Sequence, residues 1–259
     1  MPAPARRGVR EPRLFEALER HFDPDALLAE ELVPDQPGFC VVVDGLLYPS
    51  ECSRLIKAIE DTTDGGLLGG THLNPPSAAD LKPRKNEALL ARDSCAVVDK
   101  ELAARLWERL HHLLPIIAGG HGPARAATGF VGDGRMGDAT PCQFKLYRYV
   151  KGHVFGTHVD VSRKGDGPGE ETEYTMLVYL NSSGEPVPPY HDLPLTGGDT
   201  VYMATAKREL CRFSPRAGAV LLHAHGKRCL PHFAEEVSKG AKYVLRADVM
   251  YAPAAPAPV

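Results

Sequence analysis

The sequence predicts an α+β protein, mostly β with a helical N-terminal support, and two observations carry that reading. From Gln143 onward, short runs of β-branched and aromatic residues alternate with Gly, Pro, Asp and Ser turns, which is the pattern of an antiparallel sandwich or barrel and not of βαβ units. Upstream, Leu102, Leu106, Leu110 and Leu113 recur at helical spacing behind Asp99, a natural N-cap, and stop ahead of Pro115. At 259 residues the chain is long enough to bury a sizeable core as one domain.

Taken in order, residues 1–12 and 252–259 are Pro/Ala-biased and bury too little surface to order themselves, so both are predicted to be disordered tails. Phe39–Asp44 (Phe-Cys-Val-Val-Val-Asp) predicts a first strand. Ser50 is placed to cap a helix from Glu51 to about Ile59, with Leu55, Ile56 and Ile59 on its inner face. Residues 61–86 are rich in Gly, Thr and Pro without either periodicity, and predict a long loop. The leucine helix then completes a helix-rich support region over 13–138. Over 139–251 the expected strands are Gln143–Val150, Phe155–Val161, Tyr174–Asn181, Thr200–Met203, Ala219–His223 and Lys242–Tyr251. A second loop over 162–172 follows the second of these and reads equally as a lid, a binding loop or a plain surface excursion.

A formal net charge of −3 gives no electrostatic reason to expect nucleic acid or an anionic membrane as a bulk partner. No apolar run approaches the roughly 18 residues of a membrane span, and the N-terminus lacks the apolar core of a signal peptide. The six cysteines are widely spaced with no Cys-x-x-Cys pair, which argues against a zinc knuckle, a redox dithiol or a disulfide framework. Together these features predict a cytoplasmic protein in a reducing compartment.

The chemistry centres on His158 and Asp160 in Phe155-Gly-Thr-His-Val-Asp-Val161. On a strand, residues two apart point to one face, so an imidazole nitrogen and a carboxylate oxygen would aim at one point. A second histidine would complete a two-His-one-carboxylate triad, which leaves adjacent coordination positions open and suits non-haem Fe(II). Of the eleven histidines, His111 and His112 lie on the leucine helix, His153 precedes the metal strand and His191 sits in a Pro-rich turn. His223 and His225 end an apolar strand, where one could touch substrate or support a ligand. His232 is distinguished by the segment downstream of it: Lys242, ten residues on, opens a strand in which 242, 244 and 246 share a face. If that face points inward, Lys242 and Arg246 are buried cations that require partners, and a dicarboxylate held by the metal would supply one. Glu171 and Glu173, and Arg163 and Lys164, are expected to be solvated loop charges.

His158-x-Asp160, a distal His232, a basic residue ten positions beyond it and the intervening Gly197-Gly198-Asp199-Thr200 turn resemble the Fe(II)/2-oxoglutarate-dependent dioxygenases, in particular the prolyl 4-hydroxylase-like branch. Tyr149-Val-Lys-Gly152-His-Val-Phe155-Gly-Thr-His158 is similar to that branch's Tyr-x-x-Gly-x-x-aromatic-x-x-His stretch. The similarity runs from about residue 38 to residue 251, more loosely at Asn86-Glu-Ala and over 102–115. It implies a double-stranded β-helix (jelly-roll) core over 139–251 and Fe(II) held by His158, Asp160 and His232. It further implies 2-oxoglutarate chelating that metal, with its far carboxylate on Lys242 and hydrogen bonds from Tyr149 and Thr200. Arg246 is the alternative clamp, and family spacing favours Lys242. The implied activity is hydroxylation of an unactivated C–H bond by dioxygen, coupled to decarboxylation of 2-oxoglutarate to succinate, with ascorbate as reductant. The prime substrate would be a proline-containing peptide, a protein side chain or a small metabolite. A cupin-like protein that binds a metal or ligand without turnover is the alternative. A hydrolytic zinc enzyme would need a general base that the segments around these ligands do not offer.

Overall fold

The computed structural model describes residues 13–60, 88–114, 125–133 and 139–253. The predicted loop over 61–86, the tail over 1–12, the tail beyond Pro253, Pro115 and the looser match at Asn86-Glu87 lie outside those residues. In chain order the elements are β1 (Leu28–Glu31), β2 (Cys40–Asp44), α1 (Pro49–Glu60), β3 (Leu90–Ala91), β4 (Asp93–Val98) and α2 (Lys100–Leu110). They continue with β5 (Arg125–Asp133), β6 (Ala139–Pro141), β7 (Gln143–Val150), β8 (Val154–His158), β9 (Glu171–Tyr179) and β10 (Thr196–Gly197). The last six are β11 (Thr200–Thr205), β12 (Arg208–Phe213), β13 (Val220–Ala224), β14 (His232–Ala234), β15 (Val237–Lys239) and β16 (Ala241–Pro253).

The strands form a jelly roll. One large sheet runs β1-β2-β13-β9-β16-β5-β6, with β7 also pairing β16 and β4 pairing β7; a second runs β12-β11-β14-β8-β3, and β10 and β15 form a small two-stranded sheet. Every pairing is antiparallel, as the alternation of short runs and turns predicts. The core lies between the two larger sheets, where Tyr179 of β9 meets Phe213 of β12 at a ring separation of 4.9 Å and Tyr202 of β11 meets Phe39 at 5.5 Å.

Helices α1 and α2 pack on this frame and are tied to each other by a buried ion pair. Helix α1 begins two residues before the predicted start: Pro49 occupies its first turn, where a missing N–H leaves nothing unsatisfied. Ser50 is not the cap, because its hydroxyl turns to Glu19 at 3.1 Å. Leu55, Ile56 and Ile59 are buried as expected. Glu51, fully buried, accepts two bonds of 2.8 Å from Arg109 of α2 and the backbone N–H groups of Glu19 and Tyr48. Burial would raise its carboxyl, yet Arg109 and those amides hold it below the usual range. Asp99 caps α2 through the Leu102 N–H at 2.9 Å, and Leu102, Leu106 and Leu110 are fully buried. Leu113 is only half-buried, because the helix ends at Leu110 and the following turn puts Leu114 into the core instead.

Several strand boundaries differ from expectation, each for a local reason. An exposed edge strand, β1, precedes the predicted first strand; Leu-Ala-Glu-Glu has no alternation to betray it. The strand carrying His158 stops at that residue and does not reach Val161. β9 starts at Glu171, earlier than predicted, because the 162–172 loop closes on itself through Gly165 N–H to Glu170 and Thr172 N–H to Arg163, both at 2.9 Å. Glu171 and Glu173 therefore sit on a strand, paired with Arg125 at 3.0 and 2.6 Å, and not in a solvated loop. Arg163 is likewise half-buried, 3.9 Å from Asp248. β16 continues to Pro253, so Ala252 and Pro253 are strand and not tail. All six cysteines are unpaired. Among the described residues no helix is long and apolar enough to cross a membrane.

Candidate metal centre

His158 ends β8 and His232 opens β14, and these adjacent antiparallel strands place the two residues directly opposite each other. Their ring centroids are 4.2 Å apart. Asp160 lies beyond the end of β8, so strand alternation does not deliver it, contrary to the expectation. Its backbone is clamped instead: the Gly226 N–H donates to Asp160 O at 3.1 Å, and the Asp160 N–H points to Cys229 Sγ at 3.2 Å. The short 3-10 turn Gly226–Arg228 leads into β14, so one segment both presents His232 and holds Asp160. His158 Nε2 is 3.7 Å from Asp160 Oδ1, and one ligand atom from each of His158, Asp160 and His232 lies within 4.8 Å of the others.

The protonation pattern suits metal ligation. His158 Nδ1 faces the Gly156 carbonyl at 2.8 Å and His232 Nδ1 the Leu230 carbonyl at 3.0 Å. Each Nδ1 carries its proton toward an acceptor, which leaves the Nε2 lone pair for a cation. Burial pushes the His158 imidazole down to about 4, with the neighbouring His232 adding to the shift, and burial also lowers His232. Both rings are neutral at pH 7. Asp160 is held well below the usual carboxylate range: burial alone would raise it, but Arg246 and the hydrogen bond from His223 prevail. Two neutral imidazoles and one ionised carboxylate are the donor set of a facial Fe(II) site. His223, Cys229 and His232 form a second cluster within the same 4.8 Å. It is the poorer donor set, because both His223 nitrogens are engaged, by Tyr202 at 2.9 Å and Asp160 at 3.0 Å, and burial raises the Cys229 thiol to about 11.

A pocket opens from these ligands between the two larger sheets, lined by Tyr147, Tyr149, Tyr179, Val244, Thr200 and Phe155 among others. Lys242 and Arg246 both face it, as the shared strand face predicts. They sit at opposite ends: four residues of extended chain separate them by roughly 13 Å. Arg246 is at the Asp160 end, 3.6 Å from Asp160 and 3.1 Å from Asp248. Lys242, buried at the far end, donates to Gly198 O at 2.5 Å and lies 5.3 Å from the ring centres of Tyr149 and Tyr179. Tyr149 is its cross-strand partner, and the Tyr179 hydroxyl meets Thr200 at 2.7 Å. Among the described residues no carboxylate forms an ion pair with Lys242; the nearest influence, Asp199, is paired with Arg212 at 3.2 Å. Burial consequently pulls the Lys242 amine down to about 7.

The turn beneath Lys242 requires its glycines. Gly197 and Gly198 adopt φ of 77° and 81°, and a Cβ on Gly197 would collide with Glu236 O. Sequence reasoning missed Arg92, whose guanidinium lies 3.5 Å over the Tyr147 ring and donates to the Tyr149 hydroxyl at 2.9 Å. It also missed Thr175 and Tyr179, because strand order, not chain order, brings them to the pocket. His223 bonds to Asp160, whereas His225, the other residue of that expected pair, is bonded to Thr172 and Thr175. His111 remains exposed against Trp107, and His153 is buried outside the triad.

No protein-family model matches the chain, and no curated protein matches it in sequence. Solved structures do. A prolyl hydroxylase from Trichoplax adhaerens, in complex with a hypoxia inducible factor oxygen degradation domain peptide fragment, superposes with a TM-score of 0.50 at 14% identity, covering 84% of this chain and 87% of that one. A viral collagen prolyl hydroxylase from Paramecium Bursaria Chlorella virus-1, in its 2OG complex, gives a TM-score of 0.49 at 17% identity over 83% of this chain and 96% of that one. The chain thus has the fold of the prolyl hydroxylases, the branch of the Fe(II)/2-oxoglutarate oxygenases that its C-terminal motifs resemble.

Proposed function

We propose that the protein is an Fe(II)- and 2-oxoglutarate-dependent oxygenase, with residues 139–251 as its catalytic core and residues 13–138 supporting it. One observation carries the reading: a buried lysine without a counter-ion among the described residues waits at the far end of a pocket whose near end converges two neutral histidines and a carboxylate. A metal container would have no use for that cation, whereas a five-carbon diacid chelating the metal would lay its distal carboxylate on Lys242. His158, Asp160 and His232 would hold the metal. Lys242 would fix the far carboxylate as a point charge, with Thr200, itself oriented by Tyr179, donating beside it. Tyr149, beside Lys242 on the same sheet, would add a hydrogen bond to that carboxylate, its hydroxyl held in place by Arg92. Arg246, satisfied by Asp160 and Asp248, keeps the metal end balanced and is not the clamp.

When bound, Fe(II) and 2-oxoglutarate supply the oxidising chemistry: dioxygen is split between a hydroxylated C–H bond and succinate, with release of carbon dioxide. The chain's own work is to orient the diacid, to keep the pocket dry with Tyr147, Tyr149, Phe155 and Val244, and to leave one side of the ligand set open to a second substrate. Val159 and Val161, large apolar residues flanking Asp160 in sequence, are exposed. Prolyl peptides, protein side chains and small metabolites all fit this description, and ascorbate would serve as reductant.

Purified protein supplied with Fe(II), ascorbate and 2-oxoglutarate should release succinate slowly without any prime substrate. His158→Ala and Asp160→Ala should abolish that release. Undiminished succinate from either variant would defeat the proposal.

A further inference from the structure

We propose that Thr175 and His223 are positioning residues that hold Asp160 by one carboxylate oxygen and so reserve the other for the metal. This rests on the reading of His158, Asp160 and His232 as a metal site. Thr175 Oγ1 lies 2.5 Å from Asp160 Oδ2 and His223 Nε2 lies 3.0 Å from the same atom. Arg246 approaches that oxygen too, at 3.6 Å. Oδ1 takes part in none of these contacts and is the oxygen that faces His158 Nε2, at 3.7 Å. Three donors therefore converge on the oxygen other than the one that meets His158.

The direction of every bond follows from the acceptor-only character of the carboxylate. Thr175 and His223 must both donate to Oδ2. With its Nε2 donating, neutral His223 accepts at Nδ1 from the Tyr202 hydroxyl, 2.9 Å away. Thr175, having given its single proton, accepts from His225 Nε2–H at 2.7 Å. His225 Nδ1 in turn accepts from the Thr172 hydroxyl at 3.0 Å, and Thr172 Oγ1 accepts the Arg163 N–H at 2.9 Å. One unbroken line of bonds thus runs from the 162–172 loop to the metal carboxylate. Thr175 and His223 are cross-strand partners on β9 and β13, both buried, so their aim is set by strand register and not by a loop. Outer groups of this kind orient first ligands and raise metal affinity, and losing one typically costs about 10- to 100-fold.

The test uses Co(II) alone, titrated anaerobically into full-length protein and followed by calorimetry and by the visible Co(II) spectrum. Thr175→Val keeps the shape and deletes the hydroxyl, and should weaken Co(II) binding by about 10- to 100-fold and alter the spectrum. Thr175→Ser restores the hydroxyl and should restore both. Wild-type affinity in folded Thr175→Val, or an equal loss in Thr175→Ser, overturns the proposal. Should Thr175→Val fail to fold, His223→Gln and His223→Leu read the same effect, since only glutamine retains an N–H donor; equal affinity of that pair overturns it. Failure of the underlying reading looks different: wild-type protein would bind no Co(II), or would bind it equally after His158→Ala, and the proposal would fall with it.

Discussion

Replacing Lys242 by methionine keeps most of the side chain's volume and removes its charge, which isolates the role of the far end of the pocket. Lys242 is buried, and burial holds its amine near pH 7 in the free protein. A carboxylate brought against it stabilises the ammonium and raises that value, so binding 2-oxoglutarate draws a proton from solvent wherever the free lysine is neutral. With the amine at about 7, uptake should be about 0.9 proton per diacid at pH 8, about 0.5 at pH 7 and about 0.1 at pH 6. Calorimetry of Mn(II)-loaded protein in buffers of differing ionisation enthalpy measures this directly. Lys242→Met should abolish the uptake. Losing one partner of a buried charged pair costs about 2–5 kcal/mol, which at about 1.4 kcal/mol per tenfold weakens 2-oxoglutarate about 30-fold to a few thousand-fold. The same substitution bears on stability, with a definite sign. The folded amine is depressed below that of the unfolded chain, so between about pH 7 and 10 the unfolded state binds more protons and wild-type stability rises with pH. Lys242→Met should lack that rise and exceed wild type most at pH 7 and below, as read by urea unfolding across the range. Unchanged 2-oxoglutarate affinity in the variant, or undiminished proton uptake, would refute the reasoning.

Two further outcomes are expected from the frame around the site. Arg109→Met strands the carboxylate of Glu51, which is 0% exposed, and should destabilise the fold by about 3–5 kcal/mol in urea unfolding; a loss below about 1 kcal/mol would show the pair to be dispensable. Gly197→Ala must drive a methyl group into Glu236 O at a φ of 77°, and should cost at least about 1–3 kcal/mol while weakening 2-oxoglutarate, because Lys242 rests on the adjoining Gly198 carbonyl. Wild-type stability and affinity in that variant would contradict the geometry.

What could be read from the sequence was whatever local pattern encodes. β7 matches its predicted bounds because Gln143–Val150 is an aromatic- and aliphatic-rich run bounded by turn residues, and Asp99 caps α2 because an N-cap acts within three residues. Lys242 and Arg246 face one pocket because period-two alternation survives in the fold, and His158 and His232 line the same pocket. Asp160 reached the same place by another route, a backbone clamp from residues 226 and 229 that no local pattern announces. Thr175 and Arg92 were illegible for a related reason: β9 lies between β13 and β16, and β4 pairs β7, so their relation to the ligands exists only once distant strands have paired. Edge strands such as β1 and β12 went unread because mostly exposed residues need not alternate.

The pairing of His158 with His232 across β8 and β14 also makes the site a gauge of correct assembly. Sliding β14 by a single position against β8 would turn the second imidazole to the opposite surface of its sheet and leave only two of the three proposed ligands on the inside. Cation uptake then discriminates native from misaligned strands. Divalent metal added during refolding should rescue the properly aligned population selectively, acting as a template for a three-residue strand too short to find its own alignment.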